Sequence, residues 1–150
     1  MCMSAKLLAL LIAAGSGMAM AVQGSLNAVL GKIIGLLETT FAVHLIGLTV
    51  VFLVLFLFRM GDGDWHRFVE APWYTYLGGV LSVLIVYLVA RSIPPLGVAV
   101  ATTAIIVGQV LTASLVDHLG LFGLEKVPFT WYRVAGTALM ASGAFLILKQ

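Results

Sequence analysis

The sequence predicts an all-α integral membrane protein with five transmembrane helices, and three observations carry that prediction. Of its 150 residues 62% are hydrophobic and 9% charged, with a mean hydropathy of +1.15, whereas about a quarter of a soluble domain is charged. Five apolar stretches fill nearly all of the chain, each near the roughly 20 residues that carry a helix across the hydrocarbon. Within lipid every backbone polar group must be satisfied inside its own segment, so spans of this length are helices. Membrane strands would be about half as long and would alternate in polarity. At 15.9 kDa the expectation is a single five-helix domain, residues 1–150, without a soluble catalytic part. A net charge of +2, with no basic run or interleaved aromatic stripe, argues against nucleic acid. Cys2 has no disulfide partner and sits in no metal-ligand spacing.

The first span is expected over about residues 7–31, closed by Lys32 and a turn region carrying Gly35 and Glu38. Lys6, the apolar run Leu7 to Ala14 and Ala19-Met20-Ala21 together imitate a cleavable signal peptide. The apolar character continues well past that cleavage point, which favours a retained helix. The second span covers about 41–58, before a water-soluble loop from Arg59 to Ala71 rich in Gly, Asp and charge. Pro72 suits the first turn of the third span, about 72–90, because its missing N–H costs nothing there. Arg91, Pro94 and Pro95 mark its end. The fourth span runs over about 96–116, with a blurred end because apolar residues continue past Asp117 and His118 to Leu124. The fifth covers about 131–148, ahead of Lys149.

Orientation follows from Lys and Arg near the span ends. The face holding the N-terminus receives Lys6, Arg59, Arg67, Lys126 and Arg133, and the other receives Lys32, Arg91 and Lys149. So slight a bias allows the chain to insert both ways, and two inverted copies would then present one charge set to each side. Trp65, Trp73, Trp131, Tyr74, Tyr76 and Tyr132 gather toward the N-terminal face, at the level where such rings anchor among headgroups.

Close helix approach in lipid depends on small residues. Ala14, Gly17, Ala21, Gly24, Ala28 and Gly31 recur at three- and four-residue steps as one packing stripe on the first helix. Gly97, Ala101, Ala104 and Gly108 repeat the device on the fourth, Gly136 and Gly143 on the fifth, and Gly78 and Gly79 on the third. The second helix is bulky from Val50 to Phe58 and is expected to face lipid there. Ser16, Gln23 and Asn27 are read as lying to one side of the glycine stripe. Gln109 in the fourth helix shares a face with Thr102 and Asp117. An unpaired amide in hydrocarbon costs several kcal/mol. These groups therefore either hydrogen-bond across helices or line a polar cavity and contact a solute.

Asp117 is an interfacial residue if the fourth helix ends near Val116, and an embedded carboxylate able to titrate if the run to Leu124 is buried. His44, early in the second helix, reads as a packed or interfacial histidine with a proton relay as the alternative. Asp62 and Asp64 lack the other oxygen ligands of a calcium loop, and Gly15 with Gly17 lacks the strand that precedes a nucleotide-binding turn. No metal site or cofactor is expected. No nucleophile with a base stands at helical spacing, which argues against an intramembrane enzyme.

Gly17, Ala21, Gln23, Asn27, Leu30 and Lys32, then Pro72-Trp73-Tyr74 with Gly78-Gly79, then Pro95-Leu96-Gly97, Gly108-Gln109 with Asp117-His118 and Gly120, and finally Arg133 with Gly136 and Gly143 form an ordered set. It resembles the short five-helix branch of the drug/metabolite transporter (DMT) superfamily, the YdcZ-like inner-membrane exporters, from the first span to the last. The resemblance implies one half of an inverted-repeat transporter, because larger members carry ten helices as two inverted five-helix repeats. It implies no substrate. In contrast to the small multidrug exporters, the first helix has no carboxylate, which counts against cation–proton antiport of their kind.

The reading that results is a small-molecule carrier of the inner membrane. It would work by alternating access around a midplane site as an antiparallel homodimer, in contact with the bilayer and with an unidentified solute. Gln23, Asn27, Gln109, Ser16 and Thr102 are expected to bind substrate, and Asp117 and His44 are the candidates for coupling. A dual-topology ion channel and a non-transporting subunit of a larger complex are the alternatives.

Overall fold

The computed structural model describes residues 3–128 and 130–149, so Cys2 lies outside the described residues. Five long helices account for the architecture: α1 (Met3–Ile34), α2 (Leu36–Phe52), α3 (Leu77–Leu96), α4 (Val98–Leu119) and α5 (Trp131–Leu148). All five are long and apolar enough to cross a membrane. All regular structure among the described residues is helical. The chain divides into two compact units, Met1–Pro94 and Pro95–Gln150.

In the first unit α1 runs unbroken through Ala19-Met20-Ala21 and turns into α2 at a single residue, Gly35, with φ 99°. That backbone conformation is open to glycine and strained for other residues. Because the turn is so short, α2 begins at Leu36 rather than near Phe41, and Glu38 falls in its first turn, where a carboxylate complements the helix dipole. Gly31 lets the hairpin close, since a Cβ there would stand 2.8 Å from Leu36 Cδ2. Gly24 brings α1 against α3, a Cβ there lying 2.9 Å from Val89 Cγ1 and 3.2 Å from Ile93 Cδ1. Gly24, Asn27, Ala28, Thr39, Thr40, Ala90 and Ile93 are the buried residues of this unit among those described. The rest of α2 is lined with exposed Leu, Ile, Val and Phe, as a helix against lipid should be.

The end of α2 loosens into a π-helical segment, Leu53–Leu57, in which the Phe58 N–H donates to the Leu53 carbonyl five residues back. From there a ladder of rings runs through the loop: Phe52–Phe56 (4.8 Å between centroids), Phe56–Trp65 (6.5 Å), Trp65–Phe68 (6.3 Å) and Phe68–Tyr76 (4.9 Å). The Tyr76 hydroxyl donates to the Phe68 carbonyl. A 3-10 turn, Trp73–Tyr76, leads into α3.

The third span does not stop at Arg91. α3 continues through Pro94 and Pro95 to Leu96, because prolines in a last turn withhold only the two N–H donors that would have reached the Ala90 and Arg91 carbonyls. The break comes at Gly97, with φ 80°.

In the second unit α4 ends at Leu119, and the apolar residues beyond it do not prolong the helix. Gly120 takes the left-handed conformation (φ 63°, ψ 40°) and its N–H donates to the Val116 carbonyl, a left-handed C-terminal stop. Leu121–Gly123 form a separate 3-10 turn. Thr130 caps α5, its hydroxyl accepting from the Arg133 N–H. Ala101 and Ala144 are the buried residues of this unit among those described.

At most 11% of the most apolar window of any of the five helices is buried within the chain. The outward faces are thus left for lipid or for another chain. The small-residue stripes are used unevenly. A Cβ added at Gly17, Gly97, Gly108, Gly136 or Gly143 would meet nothing within 4 Å, whereas Gly24 and Gly31 on the stripe of α1 are closely approached.

Candidate functional site

The polar groups of the first unit fall into two sets. Ser16, Ser25, Thr40 and Thr49 turn their hydroxyls back onto carbonyls three or four residues earlier in their own helices, at 2.8 Å in each case. This is the standard way a lipid-facing helix hides a hydroxyl. Gln23 and Asn27 have no such escape, and among the described residues neither amide has a hydrogen-bond partner. Gln23 is exposed, whereas Asn27 is 6% exposed and packed into the Gly24–Ala28 seam. Asn27 thus belongs to the packing face rather than beside it. Along α1 the Gln23 amide lies roughly 16 Å from the C-terminal end and that of Asn27 roughly 10 Å, at 1.5 Å per residue. Thr39 is fully buried, and its Oγ1 has no partner among the described residues.

His44 stands on α2 between two partners. Its Nδ1 lies 2.7 Å from the Thr40 carbonyl and its Nε2 lies 3.0 Å from Ser82 Oγ on α3. Ser82 was not singled out by the sequence. The signal available was a histidine and a serine on two successive spans joined by a loop.

In the second unit Gln109 is exposed and Thr102 half-buried, and neither side chain has a hydrogen-bond partner among the described residues. Gln109 sits roughly 16 Å from the start of α4 by the same rise, close to the middle of the helix. Thr103 and Ser114 bond back to the Ala99 and Val110 carbonyls. Asp117 lies in the last turn of α4, where Oδ2 accepts from Arg133 Nη1 of α5 at 3.0 Å. Its carbonyl accepts from the Val127 N–H at 2.8 Å. The pair is about two-fifths exposed and clamps the ends of α4 and α5. Among the described residues no group of three His, Cys, Asp or Glu could hold a metal ion.

Each unit thus presents one exposed amide part-way along a helix, Gln23 or Gln109, able to both donate and accept a hydrogen bond. Over residues 8–146 the sequence matches the family described as "Putative inner membrane exporter, YdcZ". The chain belongs to this family. The resemblance carried by the ordered set of residues from Gly17 to Gly143 is borne out, as is the five-helix architecture. No curated protein and no solved structure matches the chain. YdcZ membership makes it a multi-pass protein of the inner membrane and a transporter rather than an enzyme.

Proposed function

We propose that this YdcZ-family chain exports a small solute by alternating access as an antiparallel homodimer, in the manner of one half of an inverted-repeat carrier. One observation carries the reading. Gln23 and Gln109, each about midway along a membrane-spanning length of helix, are exposed amides with no hydrogen-bond partner among the described residues. In hydrocarbon that arrangement costs several kcal/mol per group, so each amide needs a polar partner from beyond its own unit. The near balance of Lys and Arg between the two faces supports insertion in both orientations. The largely uncovered helix faces leave room for a second copy. Thr102 is assigned to the same path, with Ser16 toward its end, while Asn27 stays with the packing face.

The test is transport by protein reconstituted in liposomes, first with a panel of labelled metabolites and then with Gln23→Ala and Gln109→Ala. Each substitution is expected to lower transport at least tenfold while the protein melts at an unchanged temperature. If both variants transport normally, the amides are not on the path. Counter-transport of preloaded solute marks a carrier; fast flux without it would make the protein a channel. Reporters fused to the termini in cells should be found on both sides of the membrane, and a single orientation for every copy would rule out the antiparallel dimer.

A further inference from the structure

We propose that His44 and Ser82 form a reversible proton-binding site within the membrane-spanning part of the first unit. The proposal deepens the carrier reading by naming the coupling ion, and it rests on that reading only for the coupling.

The geometry fixes the imidazole tautomer. The Thr40 carbonyl can only accept, so Nδ1 at 2.7 Å must carry a hydrogen. Nε2 is therefore the bare nitrogen of the neutral ring, and Ser82 Oγ–H donates to it across 3.0 Å. Ser82 is set apart by this bond. Ser16, Ser25, Thr40, Thr49 and Ser92 in the same unit all give their hydroxyl hydrogens to carbonyls of their own helices, while the Ser82 hydroxyl reaches a neighbouring helix.

That arrangement lets a proton enter without stranding a polar group. A proton taken from water adds to the Nε2 lone pair, and the new N–H donates to Ser82 Oγ. The serine hydroxyl then turns its own hydrogen to the Gly78 carbonyl, four residues back, in the posture its counterparts already hold. The α2–α3 link survives in both states with its polarity reversed, and the Nδ1–H bond to Thr40 is untouched. His44 is half-buried and sits roughly 12 Å along α2 from its start, at 1.5 Å per residue.

The other titratable or charged groups of the unit's helices are Glu38 on α2, Lys6 and Lys32 on α1, and Tyr87 and Arg91 on α3. Glu38 lies six residues before His44, in the first turn of α2, and Arg91 lies nine residues beyond Ser82.

The experiment is nitrogen-15 NMR of histidine-labelled protein in lipid nanodiscs, taken from alkaline to acidic pH. Its probe is the hydrated proton alone. The His44 signals are assigned by their loss in His44→Gln, or by subtraction using His66→Gln and His118→Gln if that variant fails to fold. At the alkaline end His44 should show a protonated Nδ1 and a bare Nε2, and on acidification both nitrogens should become protonated. Ser82→Ala should move the bare-nitrogen signal to the position of a lone pair with no donor. A His44 that stays neutral throughout, or that carries its hydrogen on Nε2, overturns the proposal. No solute is present, so a failure to find flux leaves this readout unaffected, and a silent histidine leaves the transport assay unaffected.

Discussion

Replacing Gly24 by alanine puts a methyl group 2.9 Å from Val89 Cγ1 and 3.2 Å from Ile93 Cδ1, where carbon atoms prefer about 3.5–4.0 Å. Ile93 can swing its terminal methyl aside. Val89 is β-branched and holds one χ1 rotamer in a helix, so it must leave that rotamer or α1 and α3 must part. Overpacking of this kind costs about 1–3 kcal/mol. Against it stands the gain from glycine to alanine in a helix, up to about 1 kcal/mol, which leaves a modest net loss. Gly17→Ala on the same helix supplies the control, because a Cβ there meets nothing within 4 Å and only the gain applies. The difference between the two variants isolates the packing cost, and Gly24→Ala should be the less stable by about 1–3 kcal/mol. Unfolding by increasing SDS in mixed micelles, followed by tryptophan fluorescence, measures both. Midpoints that agree within error would show that α1 and α3 do not meet at Gly24.

Gly120→Ala forces a left-handed conformation on a residue with a Cβ, at a cost of roughly 1–2 kcal/mol, and places that Cβ 3.3 Å from Lys126 Cβ; the same unfolding assay should register the loss. Thr39→Val replaces a fully buried hydroxyl that lacks a partner among the described residues with a methyl of the same shape, and should stabilise by about 1 kcal/mol. A destabilised Thr39→Val would mean that the hydroxyl is satisfied by something bound there. Arg133→Ala opens an ion pair that is about two-fifths exposed, so thermal melting should show a loss below about 1 kcal/mol.

The helices were legible because lipid imposes a length and a polarity that composition reveals directly, and the ends that were misjudged are those set by backbone geometry. Pro94 and Pro95 look like stops, yet α3 runs through both because a last turn has few hydrogen bonds to lose. At the end of α4, by contrast, the apolar run to Leu124 blurred the reading but the expected end near Val116 is close to the observed one, which Gly120 sets by turning left-handed. Spacing along one helix also could not tell which small residues have a neighbour. Gly24 and Gly31 do, whereas Gly17 on the same stripe does not. Asn27 and Gln23, one turn apart, looked alike by sequence; the first is packed away and the second is left open, a distinction that depends on where the neighbouring helices lie and is invisible in α1 alone. The His44–Ser82 bond joins residues 38 apart in the chain, a separation over which periodicity says nothing.

The stack of rings from Phe52 to Tyr76 begins in α2 and finishes at the foot of α3, passing through the loop that carries Trp65 and Phe68. Because these rings join the end of α2 to the foot of α3 through the loop, a change in the tilt of either helix is expected to alter the surroundings of Trp65. Trp65 is therefore a built-in gauge of that movement, readable by fluorescence without any attached dye.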